Sequence, residues 1–220
     1  MGVKEPMKMT ETTRILKIDP AAPDPAALAA AAAALRADGI LAYPTETFYG
    51  LGGLAFSEQA VERIYGLKRR DRGKPLPVVI ADLDMAGEIS GPLPPLFLDL
   101  AAAFWPGPLT LVVHVRPLFP PAILGPGGSL AMRVPGPNWL RELLRLLGAP
   151  LTATSANLAG GWAISRPDEV IELFRGTVDI IVDGGPTPGG RPSTIVDLTS
   201  GKPVLVRPGA VPEAALRRFF

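Results

Sequence analysis

Hydroxyl-bearing and cationic side chains recur in this sequence beside the ends of short apolar runs. Thr45 and Thr47 follow Gly39-Ile40-Leu41-Ala42-Tyr43, Arg70 precedes the run from Leu76 to Ile80, and Arg133 sits in the run from Leu130 to Val134. Thr154, Ser155 and Asn157 close a run that begins at Leu151, Ser193 and Thr194 open another, and Arg207 closes the last. If those ends gather on one edge, they make a pocket with several cations, several hydroxyls and neither a nucleophile nor a metal-ligand cluster. Such a pocket suits a polyanion: guanidinium groups fork onto phosphate or carboxylate, lysine offers a point charge, and hydroxyls and loop amides meet the remaining acceptors. Singly, Ser and Thr at strand ends are turn formers and a lone Arg faces solvent. Their joint recurrence is the signal.

What is missing narrows the chemistry. There is no cysteine, so disulfides, thiolate catalysis and Cys-ligated zinc are excluded. His114 is the only histidine and lies inside the strand-like run from Leu109 to Val115, so neither a His-based metal site nor a Ser-His-Asp relay is expected.

The elements that must position these residues follow from periodicity and punctuation. A helix is expected over 26–37 with Gly39 as its stop, then a buried strand 39–43 ended by Pro44. Tyr43-Pro44-Thr45-Glu46-Thr47-Phe48-Tyr49-Gly50-Leu51-Gly52 reads as a strand end opening into a glycine-containing loop, the place where ligands bind in open α/β sheets. Its glycines match neither a GxGxxG turn nor a Walker A loop. Ser57 caps a helix with an apolar face at Val61, Ile64 and Tyr65. That helix runs into Lys68-Arg69-Arg70-Asp71-Arg72-Gly73-Lys74, five cations in seven residues, more than a helix C-terminus alone requires. Further helices are expected near 82–89, 95–104, from Pro137 (stripe Trp139, Leu140, Leu143, Leu144, Leu147) and over 167–174. Strands are expected at 76–80, 109–115, 130–134, 151–154, 179–182, 194–198 and 204–207. The last two are too close for a helical crossover and read as a hairpin, so the pairing is mixed.

With 47% hydrophobic and 20% charged residues, 220 residues suffice for one folded domain, expected over 25–220 after an N-terminal tail 1–24. Twenty-two basic against 21 acidic residues give no global reason for nucleic-acid or membrane binding. No apolar leader or span is evident, and a cytoplasmic location is expected.

These residues resemble the YrdC/Sua5 family of threonylcarbamoyl-adenylate synthases from Gly39 to Gly209. The resemblance rests on Tyr43 to Gly52, Lys68-x-Arg70, Trp105-Pro106-Gly107-Pro108-Leu109-Thr110, Arg133-Val134-Pro135, Ser155-Ala156-Asn157, Ser193-Thr194-Ile195-Val196-Asp197 and Arg207-Pro208-Gly209, in the family order. It implies an α/β fold with a twisted mixed parallel/antiparallel sheet and flanking helices around a concave basic cavity. It also implies a reaction in which L-threonine, bicarbonate and ATP, with Mg²⁺ carried on the nucleotide, give threonylcarbamoyl-AMP and pyrophosphate. The product would pass to tRNA threonylcarbamoyl transferase proteins. By position, the resemblance assigns Thr47, Arg133, Thr154 and Ser193 to threonine. It assigns Lys68 and Arg70 (also as catalytic groups), Ser155, Asn157 and Arg207 to the nucleotide, with Lys74, Ser129 and Ala156 as further ATP contacts. Two departures stand out: Asp71 where members often have proline, and Val79 where some carry histidine. The length matches the short, single-domain form. A different class is a double-stranded RNA or tRNA-binding module using the 68–74 cluster, against which near-neutral charge and the lack of an aromatic-interleaved basic stripe both count.

Overall fold

The computed structural model describes residues 12–220 except Ala159; the first part of the expected tail lies outside the described residues. In chain order, β1 (Arg14–Lys17) leads to α1 (Pro25–Arg36), β2 (Leu41–Pro44), β3 (Tyr49–Gly52), α2 (Glu58–Lys68), β4 (Val78–Val79), α3 (Leu83–Ser90), α4 (Pro95–Phe104), β5 (Leu109–His114) and β6 (Ser129–Arg133). Then come α5 (Asn138–Leu147), β7 (Leu151–Thr152), β8 (Thr154–Ser155), α6 (Pro167–Phe174), β9 (Ile180–Asp183), β10 (Thr194–Asp197), β11 (Val204–Arg207) and α7 (Glu213–Leu216). The helices begin and end where the side chains direct. Asp24, Ser57 and Asp82 accept first-turn amides of α1, α2 and α3, and Gly148 closes α5 in the left-handed region. Trp139, Leu140, Leu143 and Leu144 of α5 are buried, and α5 packs against α1. No described helix is long and apolar enough to cross a membrane.

The strands form two mixed sheets. One has the order β1-β9-β2-β3-β8 and the other β11-β10-β5-β6-β4-β7. Residues 151–155 join them. β7 pairs antiparallel with β4 in the second sheet, β8 pairs antiparallel with β3 in the first, and Leu54 bridges Leu151 between the two. The apolar run from Leu151 therefore serves two sheets with two residues each, and Thr154 and Ser155 lie where one sheet passes into the other.

Three expectations need correction. Residues 14–17 are a strand rather than tail: β1 lies parallel to β9, with Leu16 opposite Val182 and buried. The flanking Arg14 and Lys17 disguise this edge strand as solvated chain. Tyr49 to Gly52 is likewise a strand, not loop. It pairs antiparallel with β2 across a turn at 45–48, and Pro44 is the last residue of β2, paired with Tyr49, rather than a stop beyond it. Gly52 of this strand serves packing, since a β-carbon there would stand 2.4 Å from the Thr152 carbonyl oxygen and 2.9 Å from the Tyr43 ring. Finally, the strand expected at 76–80 is only the two residues of β4.

Gly52→Ala should accordingly lower stability by about 2–3 kcal/mol, because the obstructing atoms are backbone and a buried ring that cannot move aside. Urea unfolding checks this, and an unchanged midpoint would contradict the packing role.

Candidate functional site

Between the two sheets lies a cavity of about 660 Å³, bordered by residues of both, within the roughly 300–1,000 Å³ of small-molecule sites. Among the described residues, three arginines line it, Arg70, Arg133 and Arg207, and no carboxylate or lysine does. Of the residues the resemblance assigns, Thr47, Arg70, Arg133, Thr154, Ser155, Asn157, Ser193 and Arg207 all reach this one cavity. Lys68, Lys74, Ser129 and Ala156 do not border it.

The β2–β3 turn builds one wall. Thr45 Oγ1 donates to the Phe48 carbonyl at 2.7 Å and accepts the Thr47 and Phe48 amides at 3.2 and 3.3 Å, closing the turn. Thr47 Oγ1 stands 3.1 Å from Thr45 Oγ1, and both residues are buried. Thr45 thus organises the loop, while Thr47 presents its hydroxyl.

Arg133, the last residue of β6, is buried and paired with Glu46, which lies between the two threonines. The second Glu46 oxygen accepts the Gly136 amide at 3.0 Å, so the carboxylate is fixed to the turn that leaves β6. Burial pulls the Arg133 guanidinium down to about 10, and the nearby charge of Arg207 acts in the same direction. It remains a cation at neutral pH, with Glu46 behind it and the cavity in front.

A second wall is built around Ser193. Arg207, at the end of β11, donates to the Ser193 carbonyl at 3.1 and 2.7 Å and to its hydroxyl at 3.0 Å. Thr110 Oγ1 donates to the same hydroxyl at 2.9 Å. Ser193 Oγ, already accepting twice, keeps its own proton for a third partner. Gly209 makes this wall possible, because a β-carbon there would lie 2.3 Å from the Pro192 carbonyl oxygen and 2.6 Å from the Thr194 amide nitrogen.

The third wall depends on Lys68. Arg69 ends α2 in the left-handed region (φ 51°), which turns the chain between Lys68 and Arg70. The Lys68 ammonium, almost fully buried, donates to the carbonyls of Ser155 and Asn157 at 2.5 and 2.7 Å and to Asn157 Oδ1 at 2.8 Å. It holds the Ser155-Ala156-Asn157 turn from behind. Burial lowers its pKa to about 8, and the Arg70 charge adds to the effect. Arg70 borders the cavity and is steadied by the Lys74 and Pro75 carbonyls, both at 3.0 Å. Asp71 closes the loop it opens, accepting the Gly73 amide on its side chain and the Lys74 amide on its carbonyl. Val79, the other departure, is fully buried and away from the cavity, which its neighbour Val78 borders instead. The Lys74 side chain is exposed, and Ser129 is buried at the start of β6. His114 is exposed on the outer end of β5, with Nδ1 3.0 Å from the Gly127 carbonyl oxygen.

Sequence reasoning missed Glu46 and Thr110. Both had a signal: the sole acid between two site threonines, and a hydroxyl in an otherwise apolar strand.

The comparisons agree on one family. The family model Sua5_yciO_yrdC, described as telomere recombination, matches residues 33–209. The chain is 40% identical over 182 residues to the threonylcarbamoyl-AMP synthase of Pyrococcus abyssi, covering 83% of this chain and 54% of that protein. It is 36% identical over 180 residues to that of Pseudomonas fluorescens strain Pf-5, covering 81% of this chain and 95% of that one. The crystal structure of P. abyssi Sua5 complexed with L-threonine superposes with a TM-score of 0.89 at 36% identity, over 94% of this chain and 61% of that one. The chain thus spans about half the length of the P. abyssi relative and nearly all of the Pseudomonas one.

Proposed function

The chain belongs to the Sua5/YciO/YrdC family, and on that premise we propose that its cavity makes L-threonylcarbamoyl-AMP from L-threonine, bicarbonate and ATP, releasing pyrophosphate. The observation that carries this reading is the division of a single cavity. Arg133, Thr47 and Thr154 are buried, and with the half-buried Ser193 we assign them to the amino acid; the half-buried Arg70 and Asn157 and the exposed Ser155 and Arg207, the last bonded to Ser193 where the two parts meet, we assign to the phosphates.

Arg133 would fork onto the threonine carboxylate, and Ser193 Oγ or Thr47 Oγ1 would take the substrate hydroxyl. The threonine amine then attacks the carbon of bicarbonate; a C–N bond forms and water leaves, giving a carbamate. A carbamate oxygen attacks the α-phosphorus in line, and the bond to the bridging oxygen breaks with its electron pair leaving on pyrophosphate. No enzyme nucleophile is needed, only positioning and charge. Mg²⁺ on the phosphates would neutralise charge as pyrophosphate departs. Among the described residues no group of three His, Cys, Asp or Glu is arranged to hold an ion. The catalytic unit we propose is residues 25–220 with β1 added at its sheet edge. Its product would feed tRNA threonylcarbamoyl transferase proteins and the threonylcarbamoyladenosine modification of tRNA.

A double-stranded RNA or tRNA-binding module is a weaker reading. Of the cations in 68–74, Lys68 is buried, Arg70 is turned onto its own loop and the exposed Arg72 is paired with Glu62, which leaves Arg69 and Lys74 as the solvent-facing cations without a carboxylate partner among the described residues. Two cations make a poor phosphate-tracking face.

The test is to incubate the protein with ATP, threonine and bicarbonate and follow pyrophosphate together with the mass of threonylcarbamoyl-adenylate. Equal pyrophosphate release without threonine would sink the reading. Serine should be turned over about tenfold less efficiently, since one buried methyl is worth roughly 1 kcal/mol or slightly more. A serine rate within twofold of that with threonine would show that Thr47, Thr154 and Ser193 do not shape a threonine pocket.

A further inference from the structure

Trp162 is 95% exposed, beyond every other large apolar side chain described, and yet it borders the cavity. The other two tryptophans are placed as core residues are. Trp139 is buried against Tyr43, and Trp105 packs edge-on to Phe97 while its Nε1 donates to the Leu109 carbonyl. Among the described residues, no ring and no hydrogen-bond partner engages the Trp162 indole. An indole left in water at the mouth of a site contributes nothing to the fold, although both its faces are open to a flat partner.

Its position is tied to the nucleotide side. Asn157 Nδ2 donates to the Gly161 carbonyl at 2.5 Å, fixing the residue before Trp162, and Asn157 is itself gripped twice by the Lys68 ammonium. The framework runs from Lys68 through Asn157 to Gly161, the residue before Trp162, and Asn157, Gly161 and Trp162 all border the cavity. The three arginines answer phosphate and carboxylate charge, whereas the indole offers the broad apolar face that suits an uncharged heterocycle.

We propose that Trp162 is the nucleobase platform of this site, stacking its indole on the adenine of the bound nucleotide. The inference rests on the nucleotide reading given above. Aromatic stacking on a base is sequence-tolerant and is removed by truncation to alanine, with an effect of roughly tenfold for a single one-sided contact.

The experiment titrates ATP, inorganic tripolyphosphate and L-threonine calorimetrically into the full chain and into Trp162→Ala and Trp162→Phe. Trp162→Ala should bind ATP about tenfold more weakly while holding tripolyphosphate and threonine as the parent does, and Trp162→Phe should retain most of the ATP affinity. ATP, but not tripolyphosphate, should also change the red-shifted part of the tryptophan emission in the parent, and this response should vanish in Trp162→Phe. Because the side chain is exposed, both variants should unfold at the parent's midpoint. ATP affinity within twofold of the parent in Trp162→Ala overturns the inference, as does an equal loss of tripolyphosphate binding, which would mean that the residue merely props its loop. If the parent binds no ATP, the nucleotide reading itself fails and this inference with it. If ATP binds and Trp162→Ala makes no difference, only this inference fails.

Discussion

Arg133→Lys should weaken L-threonine binding about a hundredfold, close to 2.7 kcal/mol, while ATP binding measured alone stays within a few-fold of the parent. The expectation follows from how the guanidinium is shared. It is buried at the end of β6 with Glu46 on one side and the cavity on the other, and five donors in a planar fork can serve a carboxylate in each direction. A lysine has one compact charge, and the carboxylate already present is Glu46, held in place by the Gly136 amide. The ammonium would settle there and leave the substrate carboxylate unanswered. Arg133→Ala is a poorer test, because it strands a mostly buried Glu46 carboxylate and unsettles the fold as well. Glu46→Gln is the informative companion. Its amide oxygen can still accept from Gly136, and removing the competing negative charge should leave threonine affinity undiminished. Calorimetric titration of each variant with each ligand separately decides the matter. If Arg133→Lys loses ATP affinity instead, Arg133 belongs to the phosphates and the division of the cavity is wrong.

How much of this was readable beforehand depended on whether the signal was local. α5 was legible because its stripe and its stop, Gly148, are set by helical spacing. The gathering of Thr47, Arg133, Thr154, Ser193 and Arg207 was legible because each sits at a strand end. β3 was not, since Gly50 and Gly52 look like loop residues until the Tyr43 ring is seen to crowd both β-carbon positions and the Thr152 carbonyl to occupy that of Gly52. β1 was hidden because its partner, β9, lies more than 160 residues away, and a four-residue strand carries little pattern of its own. The same limit applies to the run after Leu151: nothing in the sequence says that one short apolar segment will be divided between two sheets. Side-chain direction was equally out of reach. A cation in a cluster of five cannot be told apart from its neighbours by composition, although Lys68 turns inward, Arg70 borders the cavity and Arg69 between them faces solvent.

That inward turn makes Lys68 the other position of large effect, as a positioning residue rather than a group that touches the nucleotide. Lys68→Met should lower the turnover of ATP, threonine and bicarbonate about a hundredfold, the order expected when a reacting group is misplaced by about 1 Å. Three acceptors of the Ser155-Ala156-Asn157 turn lose their common donor, and the isosteric apolar chain cannot replace it. Threonine affinity, set at Arg133, should change little, so the loss should fall on ATP. The pH dependence separates a clamp from a mere space-filler. With the folded pKa near 8, the ammonium is intact below that value. It is lost as pH rises through it, so ATP affinity should decline from pH 8 upward. Stability moves the other way. Between pH 8 and 10.5 the unfolded chain, with an ordinary lysine, binds the extra proton, so this residue's contribution makes the folded state gain stability as pH rises across that window. In Lys68→Met both trends attributable to this group should be absent. ATP affinity in the parent that stays flat from pH 7 to 9.5, or a Lys68→Met variant that turns over at the parent's rate, would remove the clamp from the account and leave the 155–157 turn held by its own backbone alone.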